Sequence, residues 1–211
     1  MAPRSYSSPI REEASAQTRR RIVQAASTLF SRDGYQGTTM PAIAKEAGVS
    51  VQSVHLAGPK SALLMAAFEL ALAGDEGTHP LYERPALAEI MALPPAEALP
   101  AYARFLAEAN ARTAGVDRAL YVAAETDAGV AAAVDDLNRR RHHDLRMAIS
   151  WMEAHSLLHG DVDADERAEV LTHLVSPATY RFFARERGWS DERYRTWLLD
   201  AIERLVMRAP A

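Results

Sequence analysis

Residues 39–56, TMPAIAKEAGVSVQSVHL, constrain the fold more than any other stretch, because their pattern specifies two short helices joined by a tight turn. Met40, Ile43, Ala44 and Ala47 give the first helix an apolar side. Gly48 supplies the backbone freedom that a sharp turn needs, and Ser50 can N-cap a second helix starting at Val51. Such a pair is a helix-turn-helix, whose second helix has the size to lie in a DNA major groove.

The charge distribution agrees with a basic head on an acidic body. Through Lys60 there are eight Arg or Lys against four acidic residues, a net of +4, and the remainder carries 16 against 24, a net of −8. That footprint suits nucleic acid at one end of the molecule. With 211 residues, 48% of them hydrophobic, the chain can bury a sizeable core. It has no cysteine, which excludes disulfides and thiolate metal sites. Residues 1–14 lack the apolar run of a signal peptide, and no segment approaches about 18 uninterrupted apolar residues. The expectation is a cytoplasmic protein with no membrane partner.

Residues 1–14 read as a disordered arm, from which Arg4 and Arg11 could reach DNA. Ser15 is placed to N-cap a helix running to about Asp33, with Ile22, Ala25, Ala26, Leu29 and Phe30 in one core-facing stripe and Gly34 as its C-terminal stop. Arg19, Arg20 and Arg21 lie beside or opposite that stripe, available to phosphates. After Ala57-Gly58-Pro59-Lys60 a helix carries Leu63, Leu64, Ala67, Phe68, Ala71 and Leu72, and Gly74, Gly77 and Pro80 close it. It connects head to body.

The rest reads as helices over about 85–92, 96–113, 116–125, 128–158, 164–187 and 191–207, with Ser176-Pro177 bending the penultimate one. Asp163 with Glu166 forms a capping-box pattern at its start. No segment alternates with period two. The fold class is all-α, about nine helices: an N-terminal helix-turn-helix three-helix domain over 15–60 and a C-terminal helical bundle over 61–211. The last two helices carry wide apolar faces, Val170, Leu171, Leu174, Val175 and Ala178 on one and Trp197, Leu198, Ala201, Ile202 and Leu205 on the other. They serve the core, and any surplus suits a second copy of the chain.

Residues 18–68, TRRRIVQAASTLFSRDGYQGTTMPAIAKEAGVSVQSVHLAGPKSALLMAAF, resemble the N-terminal domain of TetR-type transcriptional regulators. The resemblance lies in Gly34-Tyr35 followed by Thr38-Thr39, in Ile43-Ala44, in Ala47-Gly48-Val49-Ser50, and in Lys60 followed by Leu63-Leu64. Residues 176–206 also look like the end of one subgroup of that family. The resemblance implies a homodimer built through the last two helices, a small-molecule effector in the central bundle and a palindromic double-stranded DNA operator. It also implies the DNA contacts: Gln52 and Ser53 to base edges, Val51 and Leu56 to thymine methyls, Thr39 and Lys60 to phosphates, with Val49 and Val54 turned inward. His55 stands where the family usually has a phosphate-binding Tyr, and HLAGPK is one residue short, without the usual Phe. A His ring nitrogen can still donate to a phosphate. Loss of a buried Phe costs about 3–5 kcal/mol unless Leu56 or Ala57 repacks.

For the effector pocket the central helices offer Tyr102, Phe105, Tyr121, Met147 and Trp151 as lining, with Glu125 or His142 as polar anchors, which suits an apolar or weakly polar ligand. His155 and His159 have the i, i+4 spacing of a metal pair but no third ligand nearby in sequence, so no metal or other cofactor is expected. His142 and His143 follow Arg139–Arg141 as a solvated basic face. No Ser-His-Asp order, phosphate loop or carboxylate pair marks an enzyme. The leading expectation is a ligand-responsive DNA-binding regulator, most simply a repressor. The alternative is a TetR-shaped binding or interaction module that has weakened or lost DNA binding.

Overall fold

The computed structural model describes residues 9–74 and 81–207, which form helices and no strand among the described residues. In order they are α1 (Pro9–Gly37), α2 (Met40–Ala47), α3 (Val51–Ala57), α4 (Lys60–Ala73), α5 (Pro85–Met91), α6 (Pro95–Ala124), α7 (Ala128–Ala154), α8 (Ala164–Leu174), α9 (Pro177–Tyr180) and α10 (Asp191–Ile202). α9 and α10 run on into wide π-helical turns, Arg181–Glu186 and Glu203–Met207.

α1 begins at Pro9 rather than after Ser15, so residues 9–14 are helical instead of belonging to an arm. Pro is preset for a first helical position, and Ser15 is left on the helix surface. Arg4, and the side chain of Arg11, fall outside the described residues, as do Gly77 and Pro80. At the other end Gly34 leaves helical geometry with φ 71° and the chain turns, as the stop signal implies.

Two apolar cores organise the chain. The first contains the predicted α1 stripe, Ile43, Ala44 and Ala47 of α2, and Val54 of α3. Leu63, Leu64, Ala67 and Phe68 of α4 complete it, together with Val116, Ala119, Leu120 and Ala123 of α6 and Val130, Val134 and Leu137 of α7. The second lies between α5, the N-terminal half of α6, the C-terminal half of α7, α8 and α10. Thus α6 and α7 run from one core into the other, and α4 closes the head's core.

Several helix boundaries differ from the periodicity reading. The expected helices 96–113 and 116–125 are one, because Gly115 is a close-approach residue instead of a stop. A Cβ placed there would meet Ser31 Cβ at 2.7 Å and Ser31 Cα at 3.0 Å, so the glycine lets α6 lie against α1. α7 stops at Ala154, where Ser156 takes φ 56° and the Leu157 amide donates to Met152 O at 3.0 Å. Ser176-Pro177 breaks the penultimate helix outright, and Ser176 Oγ caps the new segment by accepting from Thr179 N at 3.1 Å.

The stripes expected on the last two helices mostly serve the chain itself. Leu171, Leu174, Val175, Leu198, Ala201 and Ile202 are buried in the second core, and Trp197 packs beside Phe183 with ring centroids 4.4 Å apart. Phe182 and Leu205 remain as exposed large apolar residues of this region. No single described helix is long and apolar enough to cross a membrane. Residues 51–57 and 60–73 meet that test only as a pair bent by 74°, and α4 is largely buried.

Candidate functional site

The turn between α2 and α3 is built by capping. Thr39 Oγ1 accepts from Ala42 N at 3.2 Å, Gly48 adopts φ 63° and ψ 41°, and Ser50 Oγ accepts from Ser53 N at 3.1 Å. Val54 is fully buried and Val49 packs against the same core, which turns the opposite side of α3 outward. On that side Gln52 and His55 are exposed, Val51 is 39% exposed and Leu56 82% exposed. Ser53 is half-buried, and its hydroxyl lies 2.8 Å from Ser50 Oγ as part of the cap.

The basic residues of the head do something the sequence did not suggest. Arg19 donates to Ala57 O at 2.7 Å, and Arg21 to Ala47 O at 2.5 Å and Gly48 O at 3.2 Å. Each guanidinium therefore satisfies the last carbonyls of one helix of the pair. Lys60 behaves likewise. Its Nζ donates to Tyr35 O at 2.8 Å and Thr38 O at 3.1 Å and sits 4.1 Å from the Tyr35 ring centroid, and burial lowers its pKa. In the protein alone the ammonium faces the Tyr35 and Thr38 carbonyls. Leu56 does not fill the place of the missing aromatic, whereas Ala57 packs against the first core.

In the body a cavity of about 240 Å³ opens between α4, α5, α6 and α7 and the turn at Leu81–Glu83. Tyr102, Met147 and Trp151 line it, together with Leu72, Leu106, Leu145 and Ala148. Trp151 is fixed by donating its indole N–H to Met91 O at 3.0 Å. Phe105 instead packs into the second core. Tyr121 and Glu125 lie on a separate shallow depression, where the Tyr121 hydroxyl bonds Asn138 Oδ1 at 2.8 Å. His142 lies 4.0 Å from Asp165. His155 caps the end of α7, its ring 2.8 Å from Trp151 O, and His159 lies beyond the helix, so the two do not share a helical face.

The polar groups of the cavity are ones that sequence reasoning missed: Asn110, Arg141 and Asp144. Asn110 is buried and donates to Val175 O at 2.9 Å. Arg141 is 3.6 Å from Asp117, a carboxylate buried enough that desolvation raises its pKa against the pull of Arg141 and Arg181. Asp144 accepts from Leu81 N at 3.2 Å through each oxygen, pinning the Leu81–Glu83 turn, and desolvation raises its pKa against those amide bonds. The available signal was positional. Residues 141, 144, 145, 148 and 151 fall on one side of α7, where two charges interrupt an apolar stripe.

The head is tied to the cavity through α4. Arg112 donates to Ala71 O at 3.0 Å and Leu72 O at 3.3 Å, and buried Glu69 pairs with Arg140 at 2.9 Å. Leu72 itself lines the cavity.

Residues 22–57 match the sequence profile of the bacterial regulatory proteins, tetR family. No curated protein matches the chain in sequence. Several solved structures share its fold. A protein from Rhodococcus sp. assigned to the TetR-family transcriptional regulators is 20% identical, with TM-score 0.70, over 91% of this chain and 99% of that one. A protein from Saccharomonospora viridis assigned as a transcriptional regulator, solved with choline, is 22% identical, with TM-score 0.68, over 92% and 100%. AibR, solved with isovaleryl coenzyme A and operator DNA, is 22% identical, with TM-score 0.63, over 86% and 96%. Residues 22–57 thus match the tetR-family profile, and the chain as a whole shares the all-helical fold of these solved regulators.

Proposed function

We propose that the protein is a ligand-responsive, DNA-binding transcriptional regulator, most simply a repressor released from a palindromic operator. The carrying observation is the outward side of α3. Val51, Gln52, His55 and Leu56 stand clear of a core that holds Val54, on a turn capped at Thr39 and Ser50. Gln52 suits paired hydrogen bonds to adenine, and Val51 and Leu56 suit thymine methyls. Ser53 is left with a supporting contact, and His55 and Thr39 with phosphates. The protein acts as a homodimer through its last two helices, on which Phe182 and Leu205 are exposed. A small molecule, as in the choline and isovaleryl coenzyme A complexes of its fold neighbours, enters the cavity beside Leu72 and alters the set of α4 and thereby of α3.

The test is an electrophoretic shift on DNA flanking the protein's own coding region. A specific complex is expected at low salt. Because Arg19, Arg21 and Lys60 are engaged within the head, the complex should weaken only modestly as salt rises, with a shallow log–log slope. Absence of any specific complex would overturn the reading. The same engagement favours the second reading, a TetR-shaped module with weakened DNA binding. Under it, His55→Tyr with a Phe inserted after Ala57 creates operator binding that the native chain lacks.

A further inference from the structure

We infer that the cavity selects a cationic ligand, an apolar or aromatic body whose ammonium-type head seats against the Asp144 carboxylate. This rests on the reading of the cavity as the effector site and names the chemical class that it takes. The charge balance of the cavity wall favours a cation. Arg141 is matched by Asp117 at 3.6 Å, and neighbouring Arg140 is held by Glu69 at 2.9 Å and Asp136 at 3.1 Å. Arg146 is taken by Asp165 at 3.0 Å. Asp144 has no side-chain cation within 4.0 Å among the described residues; its oxygens accept from backbone amides of the Leu81–Glu83 turn. The nearest imidazole, exposed His143, has its ring against Tyr82 at 5.7 Å. Arg140 and His143 favour the Asp144 carboxylate only from beyond ion-pair distance, so the wall carries one negative charge with no direct cationic partner in a mostly apolar enclosure, where burial penalises that charge and a cationic ligand relieves the penalty.

Asp144 also shares the cavity with aromatic rings. Tyr82, Tyr102 and Trp151 line the same cavity, and aromatic faces attract a desolvated cation. An anionic ligand has the opposite problem. To engage Arg141 it must compete with Asp117, a carboxylate whose side chain is 3% exposed and whose Oδ1 has no hydrogen-bond partner, so the exchange takes from a buried charge the nearer of the two guanidiniums that favour it.

The experiment is calorimetric titration of the full chain, without DNA, with three probes of similar shape: benzyltrimethylammonium, the uncharged neopentylbenzene and phenylacetate. The cation is expected to bind at least about tenfold more tightly than the neutral probe, with phenylacetate weakest. Asp144→Asn, which keeps an acceptor for the Leu81 amide, should bring cation and neutral probe to parity; Asp144→Ser serves the same purpose if that variant unfolds. Equal or tighter binding of the neutral or anionic probe, a preference that survives Asp144→Asn, or binding of none of the three overturns the inference. A protein that shows the preference but shifts no DNA keeps this inference and sinks the regulator reading. One that shifts DNA without the preference does the reverse.

Discussion

The head and the body handle buried polarity in opposite ways. In the head, Arg19, Arg21 and Lys60 end on backbone carbonyls, and Thr39 and Ser50 accept from backbone amides, so these side chains finish helix ends over an apolar core. In the body, charge goes inside. Glu69, Asp117 and Arg167 are all nearly fully buried, and Arg167 donates to the carbonyls of Val206, His159, Gly160 and Val162 without a carboxylate partner among the described residues. A region in which three cations and two hydroxyls close its own helix ends is suited to hold one shape. A region that buries charge, and lines a cavity with Arg141 and Asp144, is suited to hold something else.

That contrast can be broken at graded cost. Phe30→Ala, in the centre of the head's core, is expected to destabilise by about 3–5 kcal/mol in chemical denaturation. Loss of under 1 kcal/mol would show that the head is less tightly packed than described.

The body carries its own signature at high pH. Tyr180 and Tyr194, packed edge to face at 5.0 Å, have hydroxyls pushed up to about 12 by burial. Because their folded pKa exceeds the unfolded value, their contribution is complete below the unfolded pKa of about 10 and is lost as pH rises through about 12. For Tyr194, which is wholly buried, this amounts to roughly 2–3 kcal/mol. Thermal melts at rising pH, paired with phenolate absorbance, should show stability falling across that window. Two buried tyrosines that titrate near 10 would contradict the packing.

Where head and body meet, Gly115→Ala should cost about 1–3 kcal/mol, because its Cβ collides with Ser31. Ser31→Gly in the same chain should recover part of the loss, and an unperturbed melt would mean that α1 and α6 do not touch there. Ser50→Ala should remove about 1 kcal/mol and weaken DNA binding by loosening α3, measured by melt and gel shift together.

The short helices were legible in sequence because stripe, cap and stop agreed: Ile22 to Phe30, Thr39, Gly48 and Ser50 all stand where their residue types imply. Gly115 was not, since a glycine that ends a helix and one that admits a neighbour look alike without the neighbour. Tyr102, Met147 and Trp151 were legible as residues that face one cavity. Tyr121 was not, because it lies nineteen residues beyond Tyr102, roughly 28 Å along the same helix and on another side of it. The aims of Arg19, Arg21 and Lys60 were hidden for a related reason. Long side chains choose among carbonyls that only the assembled turn brings near.

The most direct test of the account is selection of binding sites from a random double-stranded DNA pool by the native protein and by Gln52→Ala. A two-fold symmetric site is predicted, with a preference at one base pair of each half that relaxes in the variant. Enrichment of no sequence, or of the same sequence with equal stringency by both proteins, would contradict the assignment of α3 as the element that reads DNA.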